Sequence, residues 1–251
     1  MKPIAIVQAR MGSTRLPGKV LMSLAGIPAL GHVVDRLSYC EALQGIVVAT
    51  TTEPDDDAVA DFCEQRDVSV FRGSEHDVLD RYHQAAAHFD ADPIVRITAD
   101  CPAIDPVIVD RVVSGFLNGE YDLFGLMGDF PDGLDCTVFA RKALDRAWTE
   151  AKLASEREHV GPYIQHHPEL FRTGGIELFE AQGHQRWTLD EPEDYELLTV
   201  IFDALYRPDD PFSSGEVIEF LDQHPELLKI NNNVIRNEGY ITSLGSDEVI
   251  G

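Results

Sequence analysis

The sequence predicts an α/β fold built on a mostly parallel sheet with helices on both faces. Three observations predict it. Short apolar runs rich in β-branched residues recur at 4–7, 45–51 and 93–98, and they read as strands buried on both faces. Segments of helical period and suitable length separate them. The resulting strand–helix rhythm is that of βαβ units. With 251 residues and 44% hydrophobic content, the chain can bury one full core. A single elaborated domain over 1–228 is the expected organisation.

The elements follow in order. The first strand breaks into Ala9-Arg10-Met11-Gly12-Ser13-Thr14-Arg15-Leu16-Pro17-Gly18-Lys19, a loop with two glycines and three cations. Residues 28–40 read as a helix, with Pro28 suited to its first turn and Leu30, Val33, Val34 and Leu37 on one face. Strand 45–51, acidic helix 54–66 and strand 68–71 come next. The turn Arg72-Gly73-Ser74 leads to a helix over 76–89. Strand 93–98 ends at Ala99-Asp100-Cys101-Pro102 and is followed by a helix over 106–117.

The second half is less regular. Strands are expected at 121–125 and 134–139, helices at 141–153 and 156–166, and strands at 174–179 and 186–189. Helices over 190–206 and 215–223 follow. The stretch 229–251 reads as a loop-like, poorly ordered tail.

Charge singles out the opening loop. The chain carries 44 Asp and Glu against 20 Lys and Arg, a formal charge of −24, yet residues 1–34 contain no acidic side chain. Such acidity disfavours nucleic acid and anionic membranes as partners. A cationic, glycine-bearing loop directly after a strand, in that setting, is an anion pocket of the kind that cradles phosphates. Neither GxxxxGK[ST] nor GxGxxG is present, which argues against P-loop hydrolysis and dinucleotide redox chemistry. No GxSxG elbow appears either, so covalent catalysis has no support.

The four cysteines are dispersed without a CxxC pair, which argues against a zinc site or a disulfide framework and fits reduced, buried thiols. No signal-peptide pattern precedes the first strand, and the expected location is the cytoplasm.

In an open parallel sheet, ligands bind outside the carboxyl ends of the strands. The opening loop, Arg72-Gly73-Ser74 and Asp100 should gather there. Asp100 reads either as a turn cap or as a Mg²⁺ ligand. Asp190, after Trp187-Thr188-Leu189, reads either as a helix cap with Glu193 or as a second ligand. Arg157-Glu158-His159 reads either as a surface helix start or as a substrate contact.

These motifs together resemble those of the sugar-acid cytidylyltransferases. The opening Gln8-Ala9-Arg10-Met11-Gly12-Ser13-Thr14-Arg15-Leu16-Pro17-Gly18-Lys19 is similar to the head motif of the spore-coat-polysaccharide type. It is also similar to that of the enzymes activating 3-deoxy-manno-octulosonate and of the acylneuraminate enzymes. The likeness continues through 72–82, 96–102, Asp132-Gly133-Leu134-Asp135, Arg157-Glu158-His159-Val160 and 187–194. Thr137 departs from the spore-coat pattern, which carries an acid there, and leaves the acceptor open.

The resemblance implies a Rossmann-like, GT-A-like nucleotidyltransferase fold and Mg²⁺-dependent transfer of CMP from CTP to a sugar acid, with release of pyrophosphate. By it, Ala9, Arg10, Met11, Gly12, Ser13, Arg15 and Lys19 bind the triphosphate, and Arg72, Ser74, Asp80 and Arg81 lie against cytosine and ribose. Asp100 and Asp190 hold the metal, and with Lys19 and Arg15 they are the catalytic group. Asp132, Asp135, Arg157, His159, Arg186 and Trp187 fall in the acceptor half, about 120–190, which would also form a homodimer contact. Two alternatives stand beside this reading. One is a nucleotidyltransferase for a phosphonate or sugar phosphate, or for another nucleotide. The other is a catalytically silent nucleotide-binding subunit of a polysaccharide assembly complex.

Overall fold

The computed structural model describes residues 2–245 and 247–249. Nine strands and ten α-helices are described, with 3-10 turns at Lys19–Leu21, Pro54–Asp56 and Leu227–Lys229. Strand β1 (Ile4–Gln8) is buried from Ile4 to Val7. A small hairpin, β2 (Ser23–Leu24) with β3 (Ile27–Pro28), precedes α1 (Ala29–Leu37). Strands of two residues carry no periodicity, so no sequence pattern marks this hairpin.

Then come β4 (Gly45–Thr51), α2 (Asp57–Gln65), β5 (Ser69–Gly73), α3 (Val78–Phe89), β6 (Ile94–Thr98) and α4 (Pro106–Leu117). The second half holds β7 (Leu123–Met127), β8 (Thr137–Phe139), α5 (Arg141–Glu150), α6 (Ala154–His159), α7 (Pro162–His166) and β9 (Thr173–Glu177). Helices α8 (Pro192–Leu205), α9 (Ser214–Gln223) and α10 (Glu238–Gly245) complete the chain.

Seven strands form one sheet in the order β5-β4-β1-β6-β8-β7-β9. β5, β4, β1 and β6 are mutually parallel, β8 is antiparallel to both its neighbours, and β9 runs parallel to β7. The mostly parallel α/β sheet is therefore as expected. Parallel pairing brings the carboxyl ends of β1, β4, β5 and β6 to one edge, where the site lies. The core runs along both faces of the sheet, from Ile6, Leu30 and Tyr82 to Phe139, Leu144 and Phe202. All four cysteines are free and buried, and no described helix is long and apolar enough to cross a membrane.

Four expectations are corrected. The helix expected over 156–166 is two short helices, broken where Val160 takes φ 69° and Pro162 opens the next. Helix α5 ends at Glu150, short of 153. Residues 186–189 form no strand of the sheet and carry only an isolated parallel bridge, from Arg186 to Asp132 in the loop between β7 and β8. Gly133, at φ 103°, makes that approach possible, since a Cβ there would stand 2.6 Å from the Trp187 carbonyl carbon.

The expected loop-like tail instead contains helix α10 and folds back on α6. The Asp247 carboxylate accepts from Ser155 N (3.0 Å) and Ser155 Oγ (2.7 Å), and Glu248 O accepts from Ala154 N (2.9 Å). Residues 246, 250 and 251 of that stretch lie outside the described set.

Candidate active site

The loop after β1 is held by a buried carboxylate. Met11 N donates to Asp56 Oδ1 at 2.6 Å, while Asp56 Oδ2 accepts from Thr51 N and Thr51 Oγ1 at the end of β4. Asp56 thus fastens the loop to the neighbouring strand end. Gly18, at φ 73°, closes the loop by donating from its N to Met11 O (3.0 Å) and starts the turn Lys19–Leu21. That turn aims Lys19 inward.

The Lys19 ammonium donates to Asp100 Oδ2 at 2.5 Å and to Asp190 Oδ1, joining the end of β6 to the segment before α8. Only 8% of Lys19 is exposed. Burial opposes its charge, but the two carboxylates outweigh burial and raise its pKa. Burial likewise opposes ionisation of Asp100, and the Lys19 charge overcomes it, bringing Asp100 down to about 2. Asp190 Oδ2 also meets Arg15 (3.1 Å) and Arg186 (3.3 Å). Arg15 continues to Glu191 (2.9 Å) and Glu238 (3.2 Å).

Asp190 does not cap α8. Asp194, fully buried, takes the N–H groups of Asp190 and Glu191 on one oxygen, at 3.0 Å each. It also receives the Arg186 fork at 2.9 Å through both Nε and Nη2, and Asn231 Nδ2 at 2.9 Å. Arg186 reaches on to Asp132 at 2.6 Å. Burial and the nearby Asp135 carboxylate push Asp132 up to about 6, against the pull of Arg186. The two capping-type hydrogen bonds of Asp194 leave the Asp190 side chain free to face the cavity.

That cavity, about 650 Å³, is floored by Gln8 and Thr98 and holds Arg10, Ser13, Arg15, Lys19, Asp100 and Asp190. Its far wall is made by Glu158 and His159 of α6 with Glu238, Gly239, Thr242 and Ser243 of α10. His159 Nε2 lies 3.0 Å from Ser243 Oγ, and Ser243 Oγ donates to Glu158 at 2.7 Å.

Other expected residues are placed apart from this cavity. Arg72 donates to Thr51 O, Glu53 O and Asp57, tying β5 to the loop after β4. Ser74 Oγ accepts from Asp77 N, and Asp80 accepts from Trp148 Nε1. Arg81 is fully buried and donates to Ser74 O. Arg157 is spent on Asp77 and Trp148 O. Asp135 accepts from Gly133 N, and Trp187 is fully buried in the core.

Residues of consequence that the sequence did not single out are Asp56, Asp194, Asn231 and the α10 wall. Asp194 carried a signal, since it lies three residues beyond Glu191 at a helix start, the spacing of a cap.

A mostly parallel sheet with a cationic loop after β1, and with Asp100 and Asp190 meeting at its carboxyl edge, has the α/β nucleotidyltransferase architecture. Residues 4–227 match the family model described as Cytidylyltransferase. The chain belongs to that family. It is 38% identical over 245 residues to an uncharacterized protein of Methanocaldococcus jannaschii, covering 96% of this chain and 98% of that one. It is 35% identical over 231 residues to the spore coat polysaccharide biosynthesis protein SpsF of Bacillus subtilis, covering 88% and 94%. A solved cytidylyltransferase of Leptospira borgpetersenii superposes with a TM-score of 0.86 at 34% identity, over 91% of this chain and 97% of that one. A CMP:2-keto-3-deoxy-manno-octonic acid synthetase complexed with CTP shares the fold, with a TM-score of 0.63 at 17% identity over 81% and 99%.

Proposed function

We propose that this cytidylyltransferase moves CMP from CTP to a sugar acid, in a Mg²⁺-dependent reaction that releases pyrophosphate for glycan or polysaccharide synthesis. The observation that carries the reading is the convergence of Asp100 and Asp190 on one cationic position, filled by the Lys19 ammonium, beside the Arg10–Arg15 loop.

The donor set suits Mg²⁺. That ion takes one or two carboxylates and completes its shell with phosphate and water oxygens, and among the described residues no cage of three or more ligating side chains forms. Bound between Asp100 and Asp190, Mg²⁺ would supply charge neutralisation at the α-phosphate and ease ionisation of the acceptor hydroxyl.

The chain's own part is placement and charge. The acceptor oxygen forms a bond to the α-phosphorus, the bond from that phosphorus to the α–β bridging oxygen breaks, and the hydroxyl proton passes to solvent. Lys19, released from the carboxylates, neutralises charge on the α- and β-phosphates. Arg15 and Arg10 meet the remaining phosphate oxygens, and Ser13 adds a hydroxyl donor. His159 and the hydroxyls of α10 face the acceptor side.

The family likeness also supports a homodimer, which a sedimentation measurement tests. The free, buried cysteines suit a reducing cytoplasm. The central test is pyrophosphate release from CTP and Mg²⁺ with 3-deoxy-manno-octulosonate and N-acetylneuraminate, with UTP, GTP and ATP in parallel. Release with CTP and an acid is the expected result, and silence with every acid overturns the reading.

A further inference from the structure

We infer that Arg96 is the acceptor's anchor, a guanidinium that binds the carboxylate of the substrate accepting CMP. The inference rests on the transfer proposed above and names the group that selects an acid. Strand register carries it. Ile6, Arg96, Thr137, Gly125 and Gly175 are paired neighbours across β1, β6, β8, β7 and β9, so they form one row on one face of the sheet. Two residues further along β6 and on the same face stands Thr98, which with its neighbour Gln8 floors the cavity.

Beyond Arg96, the row offers only a threonine and two glycines. The Met127 side chain covers the far glycine, Gly175, so the uncrowded stretch of this face runs from Thr98 at the cavity floor to Arg96 and Thr137. An arginine spans the roughly 7 Å of two strand residues that separates it from Thr98.

Among the described residues, none claims that cation. Arg96 makes no side-chain hydrogen bond or ion pair among the described residues, and its Nε is buried without a partner. This happens in a chain with 44 acidic side chains. Of the cavity's carboxylates, Asp100 is engaged with Lys19 and Glu158 with Ser243. Its field nevertheless reaches the cavity wall. Burial depresses the His159 pKa, Glu158 opposes this, and Arg96 adds to the depression. A desolvated guanidinium donor without a partner is costly unless a ligand completes it, and its planar fork matches a carboxylate. Arg157 and Arg186, the arginines that the resemblance put at the acceptor, are consumed in ion pairs.

The test uses the full chain. Arg96→Gln should raise KM for the sugar acid about 10- to 100-fold, the worth of a charged hydrogen bond, with CTP affinity unchanged, and Arg96→Lys should recover part of the loss. An equal effect on CTP and acid, or none on the acid, overturns the inference. Phenylglyoxal labelling read by peptide mass spectrometry gives an answer that needs no turnover. With CTP bound, 3-deoxy-manno-octulosonate should protect Arg96 and its neutral counterpart, mannose, should not. Lack of protection, or protection by a phosphonate such as 2-aminoethylphosphonate and not by the acid, overturns the carboxylate assignment. If the wild type releases no pyrophosphate with any acid, the transfer fails while the labelling still decides the role of Arg96.

Discussion

Lys19 Nζ lies 2.5 Å from Asp100 Oδ2, the ammonium standing at the point where two aspartates from distant parts of the chain meet. The site is thus internally neutralised, and by the reading proposed above an incoming nucleotide and cation would compete for groups already paired. Lys19→Met should lower kcat by on the order of 10²-fold or more, the usual cost of losing one charge-stabilising donor. The same variant leaves Asp100 and Asp190 without their shared counter-ion. Mg²⁺ should therefore raise its melting temperature by more than that of the wild type. An equal response of the two proteins would sink the paired-carboxylate reading.

The Lys19–Asp100 pair also sets a response to acid. Asp100 titrates at about 2 in the fold against an ordinary 3.8, so the folded state binds fewer protons than the unfolded chain between those values. The stability from this pair is fully present above pH 3.8 and is lost as pH falls through 2. The shift corresponds to about 2 kcal/mol. Urea midpoints in metal-free buffer between pH 4.5 and 2.5 should fall more steeply for the wild type than for Asp100→Asn.

Arg186 is the hub of a buried ionic cluster, with 8% exposure and its fork on Asp194 and Asp132. Arg186→Leu strands two buried carboxylates and should cost about 3–5 kcal/mol. Arg186→Lys keeps the charge without the fork and should fall between. Chemical denaturation of the three proteins at pH 7 measures it.

Glu238 of α10 lies against Arg15, 3.2 Å away, and draws on a cation that the phosphates would use. Glu238→Ala should tighten CTP binding about two- to five-fold, the scale of an exposed pair. Calorimetric titration with CTP checks it, and weaker binding would show that α10 helps to hold the nucleotide.

The sequence by itself determined the strand–helix alternation, because apolar runs of 5–7 residues buried on both faces need no partner to be recognised. It also determined the cationic loop and pointed to Asp100 and Asp190, although the strand expected before Asp190 does not form, because charge placement is local and visible in so acidic a chain. What only the tertiary structure decided depends on contacts between distant residues. The Asp190 side chain is free for the cavity because Asp194 does the capping and Arg186 and Asn231, from either side in the chain, hold Asp194. Helix α10 becomes a wall because Asp247 is drawn to Ser155, 92 residues earlier. Arg157 and Arg186, expected at the acceptor, are absorbed by Asp77, Asp132 and Asp194, while Arg96 is left unpaired because its strand neighbour across β8 is Thr137. Which cations stay available is a matter of which carboxylates reach them first in three dimensions, and no local pattern carries that information.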